Sequence, residues 1–462
     1  MIQVHTHDTI AAIATAPGNS GIGVIRISGD KAIEIADSII VLKDRKKADI
    51  LKQESHTVKY GFVFDGKDMI DEVLVSVFKK PRSYTAEDTV EISCHGGTYI
   101  LRRVLSLIME KGARPAEPGE FTKRAFMNGR IDLTEAEAVM DVISSGNEFA
   151  RKNSLSILTG AVHEKIVSMR EKILHETAFI ESALDDPEHY SLEGYPERLK
   201  LIINEIISSL EKMISDSDTG RVLKEGIRTA IAGKPNVGKS SILNLLSGEN
   251  KAIVTDIPGT TRDIVSSEVS LSGIPIILFD TAGIRETEDT VEKIGVERSR
   301  ESIDLADLIL FTVDSSGGIT EEDREIYDFI KANGKKCIIL KNKTDLKGEN
   351  PDTSYFTDPV IEFSAKTEKG LSELKKKIEE YFLSGEVQNS EDIYITNVRQ
   401  VNELRYAQNS LLLVIKSIEE KMTEDFFTVD LMDAYSHLGN IIGEDTDEDL
   451  FDRIFSEFCM GK

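Results

Sequence analysis

Gly233-Lys-Pro-Asn-Val-Gly238-Lys239-Ser240 forms a complete G-x-x-x-x-G-K-S phosphate loop. About a hundred residues later stands Asn342-Lys343-Thr344-Asp345. In the first stretch the glycines let backbone N–H groups curl round phosphate oxygens. Lys239 adds positive charge, and the Ser240 hydroxyl is placed to ligate Mg²⁺. The second stretch selects a base. The Asp345 carboxylate only accepts hydrogen bonds, so it suits the ring N–H and exocyclic amine of guanine. Adenine offers an acceptor where guanine offers the ring N–H, which would leave a buried carboxylate unmatched. The pair of motifs in this order therefore points to GTP rather than ATP.

Working outward, residues 223–383 alternate strand and helix. Strands are expected at Arg228–Ala232, Pro275–Phe279, Leu308–Val313, Lys336–Leu340 and Val360–Phe363, with helices at Ser241–Leu246, Glu321–Lys331 and Ser372–Phe382. Such alternation implies right-handed crossovers and a largely parallel, doubly wound sheet. The remaining nucleotide motifs fall where strands deliver them to the carboxyl edge of that sheet. Asp280-Thr281-Ala282-Gly283 can hold Mg²⁺ through water and sense the γ-phosphate, while Ser364-Ala365-Lys366 can support the guanine edge through backbone N–H groups. Between the phosphate loop and Asp280, Thr255-Asp-Ile257-Pro-Gly-Thr260-Thr261-Arg-Asp263 reads as a switch loop whose threonine completes the Mg²⁺ shell. Nucleotide contacts are thus expected from Asn236, Val237, Gly238, Lys239, Ser240 and Ser241, from Thr255, Thr260 and Thr261, from 280–283, and from Asn342, Lys343, Asp345, Ser364, Ala365 and Lys366. One position departs from Ras-like proteins: Ile284 stands where a Gln orients the attacking water. An apolar side chain cannot do this, so another polar group and another positive charge are needed. The carboxylate-rich stretch Arg285–Glu292 follows, and by itself reads as a solvated acidic surface.

At 462 residues the chain has room for two to four domains. Hydrophobic residues make up 40% and charged residues 30%, with a formal net charge of −25. A chain of that sign repels nucleic acid as a whole, so RNA contact requires a local basic patch or a partner's surface. Cys94, Cys337 and Cys459 lie far apart without a C-x-x-C pair, which argues against a disulfide framework and fits a reducing cytosol. No apolar run reaches membrane-span length, and the start lacks a basic stretch followed by an apolar one, so neither a membrane span nor a signal peptide is expected, and a cytoplasmic location is expected instead.

Residues 1–118 read as mixed α/β, with strands at Ile10–Ala14, Gly23–Ile27, Glu72–Phe78 and Val90–Ser93 and a helix over Thr98–Lys111. Residues 119–222 turn helical. Thr134-Glu-Ala-Glu137 resembles a capping box, and apolar residues recur at helical spacing through Ile157–Leu184 and Leu199–Met213. After a polar stretch at Ser384–Asp392 the pattern to residue 462 is helical again. The simplest arrangement inserts the nucleotide domain (223–383) into a helical domain built from both flanks (119–222 and 384–462).

The chain resembles the MnmE (TrmE) family of tRNA-modification GTPases over essentially its whole length. The likeness rests on Asp8-Thr9-Ile10 with Gly21-Ile-Gly-Val-Ile-Arg26-Ile-Ser-Gly29, on Thr89-Val-Glu91-Ile-Ser-Cys-His-Gly-Gly97, and on Pro118-Gly-Glu-Phe-Thr-Lys-Arg-Ala-Phe126 with Arg130-Ile-Asp132. Gly259-Thr-Thr-Arg-Asp263 and the terminal Phe458-Cys-Met-Gly-Lys462 complete it. The resemblance implies a multidomain α/β plus all-α fold: an N-terminal α/β folate-binding domain that dimerises, a central helical domain, and an inserted Ras-like doubly wound GTPase domain. It implies addition of an aminomethyl or carboxymethylaminomethyl group at C5 of the wobble uridine of tRNA. The homodimer would act with a flavin-dependent partner of the MnmG/GidA type in a heterotetramer or larger complex. 5-Formyltetrahydrofolate or a related reduced folate would supply the one-carbon unit. The family's GTPase domains pair face to face, with K⁺ near the transferring phosphate. By position, Asn236, Thr255, Ile257 and Thr260 would hold K⁺, Ser240 and Thr261 would hold Mg²⁺, and Glu292 would position the attacking water. Folate contacts carry over to Arg26, Glu91, Arg130 and Lys462.

The residues themselves leave some points open. Glu91 alternates with apolar neighbours and equally fits a solvent-facing strand position. Cys94 and Cys459 have no assigned role, although Cys459 lies in the terminal motif, and His95 is a candidate near the folate. Ile395–Leu404 occupies a place where relatives often carry an Arg-rich stretch with His, so the partner is expected to hold much of the tRNA. Two other classes remain beside the enzyme reading: a ribosome-assembly GTPase, and an interaction switch with slow turnover.

Overall fold

The computed structural model describes residues 8–248, 266–271, 274–279, 303, 305–346, 352–382, 394–444, 451, 454–456, 458 and 461. The chain divides into two compact units, one made of Met1–Ser144, Ser154–Ile206 and Tyr406–Lys462, the other of Ser145–Asn153 and Ile207–Arg405.

In the first unit, β1 (Ile10–Ile13), β2 (Gly23–Ser28), β3 (Ile40–Val41), β4 (Thr57–Asp65), β5 (Asp68–Phe78), β6 (Thr89–Cys94) and β7 (Arg114–Pro115) form a seven-stranded sheet in the order β3-β4-β5-β6-β2-β1-β7. Its neighbours are antiparallel except β1 and β7. Helices α1 (Ala32–Ile39) and α2 (Thr98–Glu110) supply Ile35, Leu101, Val104 and Ile108 to a core shared with Ile25 and Ile27 of β2, Val73 and Val75 of β5, and Val90 and Ile92 of β6. Strand side chains alternate between faces. The intervening residues of β2 and β6 therefore occupy the opposite face, and the register sets Arg26 directly across from Glu91.

The sequence reading missed β4, although it joins β5 through the two-residue loop Gly66-Lys67, where Gly66 takes φ +59°. The helices α3 (Glu120–Met127), α4 (Leu133–Ser144), α5 (Glu148–Leu158), α6 (Ala161–Asp185) and α7 (Tyr195–Glu225) follow. The expected capping box at Thr134 is displaced. Asp132 accepts the Glu135 N–H at 2.7 Å and donates its own N–H to Glu135 at 2.8 Å, so the cap lies two residues earlier and Thr134 sits inside the first turn. The helical stretch Ile157–Leu184 is divided: Gly160, at φ +92°, separates α5 from α6.

The second unit carries β8 (Ile227–Ala232), α8 (Lys239–Gly248), β9 (Ser266–Leu271), β10 (Ile274–Phe279), β11 (Leu308–Asp314), α9 (Glu321–Ala332), β12 (Lys336–Asn342), β13 (Val360–Glu362) and α10 (Leu371–Phe382). The strand order is β13-β12-β11-β8-β10-β9. All neighbours are parallel except the edge strand β9, which the sequence reading did not include. Leu308, Leu310, Ile338 and Leu340 pack on one face with Leu374 and Ile378 of α10. Ile309, Phe311, Val313 and Ile339 pack on the other with Tyr327 and Ile330 of α9. Burial on both faces explains why these strands read as continuous apolar runs. The chain direction across the sheet reverses around β8, which opens a crevice at the carboxyl ends of β8 and β11.

Back in the first unit, α12 (Glu424–Ile442), which follows α11 (Val398–Glu419), packs along α6 through Leu431, Ala434 and Leu438 and through Ile166, Ile173 and Ile180. Phe451, Phe455 and Phe458 close onto Leu133 and Ala136 of α4. Among the described residues no helix is long and apolar enough to cross a membrane.

Candidate functional site

The phosphate loop leaves the buried strand β8 and folds by three positive φ angles: Gly233 at +142°, Asn236 at +63° and Gly238 at +101°. Two of these positions exclude a side chain. A Cβ on Gly233 would lie 2.3 Å from the Thr312 carbonyl oxygen of β11, and one on Gly238 would lie 2.3 Å from Asn342 Nδ2. The loop ends at the first turn of α8, where the start of the helix and its dipole favour an anion. Lys239 Nζ donates to the carbonyls of Gly233 (2.7 Å) and Lys234 (2.8 Å), so its ammonium is held across the loop. Val237 is buried, whereas Asn236, Ser240 and Ser241 are exposed.

Asn342, 2% exposed at the end of β12, joins this loop to the 364–366 segment. Its amide donates to the Val237 carbonyl at 2.8 Å and accepts the Ala365 N–H at 3.1 Å. Lys343, in the left-handed region at φ +66°, pairs with Asp314 at 2.6 Å. Burial opposes ionisation of Asp314, but the Lys343 ammonium and the Ser316 donors outweigh it and hold that carboxyl below the usual range. Asp345 is exposed, and its Oδ1 accepts the hydroxyl of the fully buried Ser364 at 2.8 Å. The Ala365 N–H is committed to Asn342, and the Ser364 N–H goes to the Lys369 carbonyl. One motif of the sequence thus supplies a buried amide that bolts two loops together and an exposed carboxylate beside them.

A second constellation lies on the face of the first sheet that carries Arg26 and Glu91. Arg26 Nη2 lies 2.8 Å from Glu91 Oε1 and Nε donates to the same oxygen at 2.9 Å. The guanidinium stacks over the rings of Tyr84 and Phe121, at 5.3 and 5.5 Å, and Arg130 stacks on Tyr84 at 4.9 Å. The C-terminal segment reaches the same place: Arg26 Nη1 donates to the Gly461 carbonyl at 3.3 Å, and a Cβ on Gly461 would meet the Ile13 carbonyl at 2.5 Å. A cleft of about 380 Å³ adjoins Arg130, lined also by Phe126, Asp132, Glu135, His163 and Gly443.

Sequence reasoning missed the frame beneath this site. Arg124, 5% exposed, pairs with Asp8, Glu87 and Glu120, and Arg114 pairs with Asp8 and Glu120. Burial would push Glu120 up, yet the Arg114 and Arg124 guanidiniums and the Glu117 N–H hold it below the usual carboxylate range. Charged positions inside the short amphipathic helix α3, beside Phe121 and Ala125, were the available signal. His95 pairs with Asp71 at 2.6 Å and is raised by that bond. Burial pushes the Cys94 thiol up to about 12, which leaves it protonated and inert. Thr255, Ile257, Thr260, Thr261, Asp280, Thr281, Ala282, Gly283, Glu292, Cys459 and Lys462 lie outside the described residues.

Two protein families match the chain: the TrmE N-terminus of GTP-binding proteins over residues 9–130, and the MnmE helical domain over residues 133–459. Among curated proteins, the tRNA modification GTPase MnmE of Lachnoclostridium phytofermentans is 51% identical over 98% of this chain and 99% of its own length. That of Alkaliphilus oremlandii is 46% identical over 99% of this chain and 100% of its own. That of Clostridioides difficile is 44% identical, over 98% and 99% respectively.

Proposed function

This chain belongs to the MnmE family of tRNA modification GTPases, and from that premise we propose that it hydrolyses GTP to drive C5 modification of the tRNA wobble uridine. It is a GTP-hydrolysing enzyme of tRNA modification; the proposal concerns how. The observation that carries it is the preformed joint at Asn342, which holds the phosphate loop and the 364–366 segment together beside the Asp345 carboxylate. A site so arranged reads a guanine and its phosphates as one ligand.

In this reading Lys239 and the N–H groups of residues 236–241 hold the phosphates, and Asp345 accepts from guanine. Among the described residues the Lys366 N–H has no partner, which suits it to the base edge. The exposed Ser240 hydroxyl on the first turn of α8 is a hard oxygen donor that fits Mg²⁺, with Thr261 as its second protein ligand. The exposed Asn236 fits K⁺, with Thr255, Ile257 and Thr260; the ion would add the positive charge that an arginine finger supplies elsewhere. Thr281, Ala282 and Gly283 would follow the γ-phosphate, and Glu292 would orient water where Ile284 cannot. For a reduced folate, the partly exposed aromatic ring of Tyr84 suits a pterin, Glu91 keeps Oε2 for its N–H groups, and Arg130 suits a carboxylate tail. Lys462 follows Gly461, whose carbonyl already meets Arg26.

We assign residues 1–118 to folate binding and dimerisation, 223–383 to GTP hydrolysis, and 119–222 with 384–462 to the helical domain. The homodimer would work in the cytoplasm with a flavin-dependent MnmG-type partner that holds most of the tRNA, as the net charge of −25 favours. The test is GTPase rate in K⁺ against Na⁺ at equal ionic strength, with Glu292→Ala beside the wild type. Stimulation by K⁺, and a variant that keeps GTP affinity while losing turnover, are expected. Equal slow rates in both salts would end the potassium mechanism. Unchanged wobble nucleosides in a deletion strain, read by mass spectrometry, would end the uridine assignment.

A further inference from the structure

Lys234, the second residue of the phosphate loop, has no part in the roles above. Its Nζ donates to Thr320 Oγ1 at 2.6 Å and lies 2.8 Å from Asp323 Oδ2. Thr320 caps α9, and both its N–H and its hydroxyl donate to the same Asp323 Oδ2 at 2.9 Å. Asp323 is 1% exposed, and its other oxygen, Oδ1, is buried without a partner among the described residues. A cap needs only an acceptor, which an amide supplies without charge. Burying a carboxylate there is costly unless a cation meets it. Lys234, from a different loop, is the cation brought to it.

The backbone of Lys234 has a second task. Its carbonyl and that of Gly233 are the two oxygens that hold the Lys239 ammonium. Pro235 restricts Lys234 to extended backbone, and Gly233 is pressed on the Thr312 carbonyl. The remaining freedom of this peptide is the side-chain end, and Asp323 removes it. We propose that the Lys234–Asp323 pair is a clamp that positions Lys239. It anchors the first half of the phosphate loop to the start of α9, so that the lysine is presented to the nucleotide phosphates from a fixed backbone. Lys234 is thereby a positioning residue for a guanosine di- or triphosphate. The inference rests on the GTP-site reading and adds a residue to it.

The test uses the full chain with Mg²⁺ and measures GDP and GTP affinity by calorimetry, with thermal unfolding alongside. Lys234→Met keeps the aliphatic stem and removes the charge. It should weaken both nucleotides by about tenfold, whereas Lys234→Arg, which still reaches the carboxylate, should stay within about threefold of wild type. A generic packing role would not be rescued by arginine. If Lys234→Met fails to fold because Asp323 is left buried and unmatched, Lys234→Met with Asp323→Asn removes that charge. The tenfold loss in that double variant supports the clamp, and wild-type affinity in it overturns the clamp. Equal affinities of Lys234→Met and wild type, or an arginine variant as weak as methionine, also overturn it. A wild-type chain that takes up no guanine nucleotide refutes the underlying reading as well.

Discussion

Replacing Asn342 tests whether nucleotide affinity is built into the joint between loops. The side chain is 2% exposed and its orientation is dictated by its neighbours: the Val237 carbonyl demands a donor and the Ala365 N–H demands an acceptor. Asn342→Ala removes both bonds. Val237 is buried, so its carbonyl is left orphaned at a cost of about 1–3 kcal/mol, while the half-buried Ala365 N–H regains water at about 0.5–1.5 kcal/mol. The sum is roughly 1.5–4.5 kcal/mol, divided between folding stability and nucleotide binding. With half of it in binding, GDP affinity falls roughly 4–40-fold. Asn342→Asp is nearly isosteric but sets a carboxylate oxygen against the Val237 carbonyl, two acceptors without a proton between them. It should bind GDP more weakly than the alanine variant at neutral pH. Calorimetric titration of GDP into the three proteins decides the matter. Wild-type affinity in the alanine variant, or a tighter aspartate than alanine variant, would refute the joint.

Asp345→Asn should move preference from guanine towards xanthine, because the amide can donate to the xanthine oxygen; competition between GTP and XTP reads this, and an unchanged preference counts against the base assignment. The Asp71 hydrogen bond, then its charge, raises His95 above its ordinary 6.5. Stability from that pair is fully present below pH 6.5 and is lost as pH rises through the raised value. Asp71→Asn should return the NMR titration midpoint of His95 to its ordinary range, and an unmoved midpoint would show that Asp71 is not the cause. The Cys94 and Cys337 thiols, both pushed to about 12 by burial, should resist maleimide at pH 7.5 in the native chain and react only after unfolding. Rapid native labelling at either position would contradict that burial.

The parts of the fold that were legible are those where local pattern and tertiary environment agree. Leu308–Asp314 is buried on both faces, so its apolar run needed no partner to be recognised. Arg26 and Glu91 could each be seen on alternating strands, but their pairing could not, because register across β2 and β6 is set by the whole sheet. The capping box was misplaced because Ser/Thr and Asp compete for the same job, and the Asp132 carboxylate wins the Glu135 N–H while also taking the Thr134 hydroxyl. The edge strand β9 passed unseen: among the described residues Ser266-Ser-Glu-Val-Ser-Leu271 pairs on one side only, and it buries Val269 and Leu271. Asn342 was recognised as part of a base-reading motif, yet its amide spends both bonds on protein, which sequence spacing alone does not show.

That division of labour bears on how the site rejects ATP. Asp345 Oδ1 already accepts the Ser364 hydroxyl, yet a carboxylate offers about four lone-pair sites. Guanine can therefore add its ring N–H and amine without displacing Ser364. Adenine presents an acceptor at the ring position, and the carboxylate keeps an unmatched site whichever way Ser364 turns. Ser364 thus orients the carboxylate, and discrimination belongs to Asp345. Ser364→Ala should weaken GTP and ATP together. The lost charge-assisted bond contributes about 1.5–3 kcal/mol when formed, of which water recovers a share at the exposed carboxylate, so GTP affinity should fall by roughly three- to tenfold. The ratio of GTP to ATP affinity should hold, because the donors and acceptors of the two bases are unchanged. Competition titrations with both nucleotides on the Ser364→Ala chain give that ratio directly. Its collapse towards one would mean that the hydroxyl itself reads the base, and the role given to Asp345 would have to be shared.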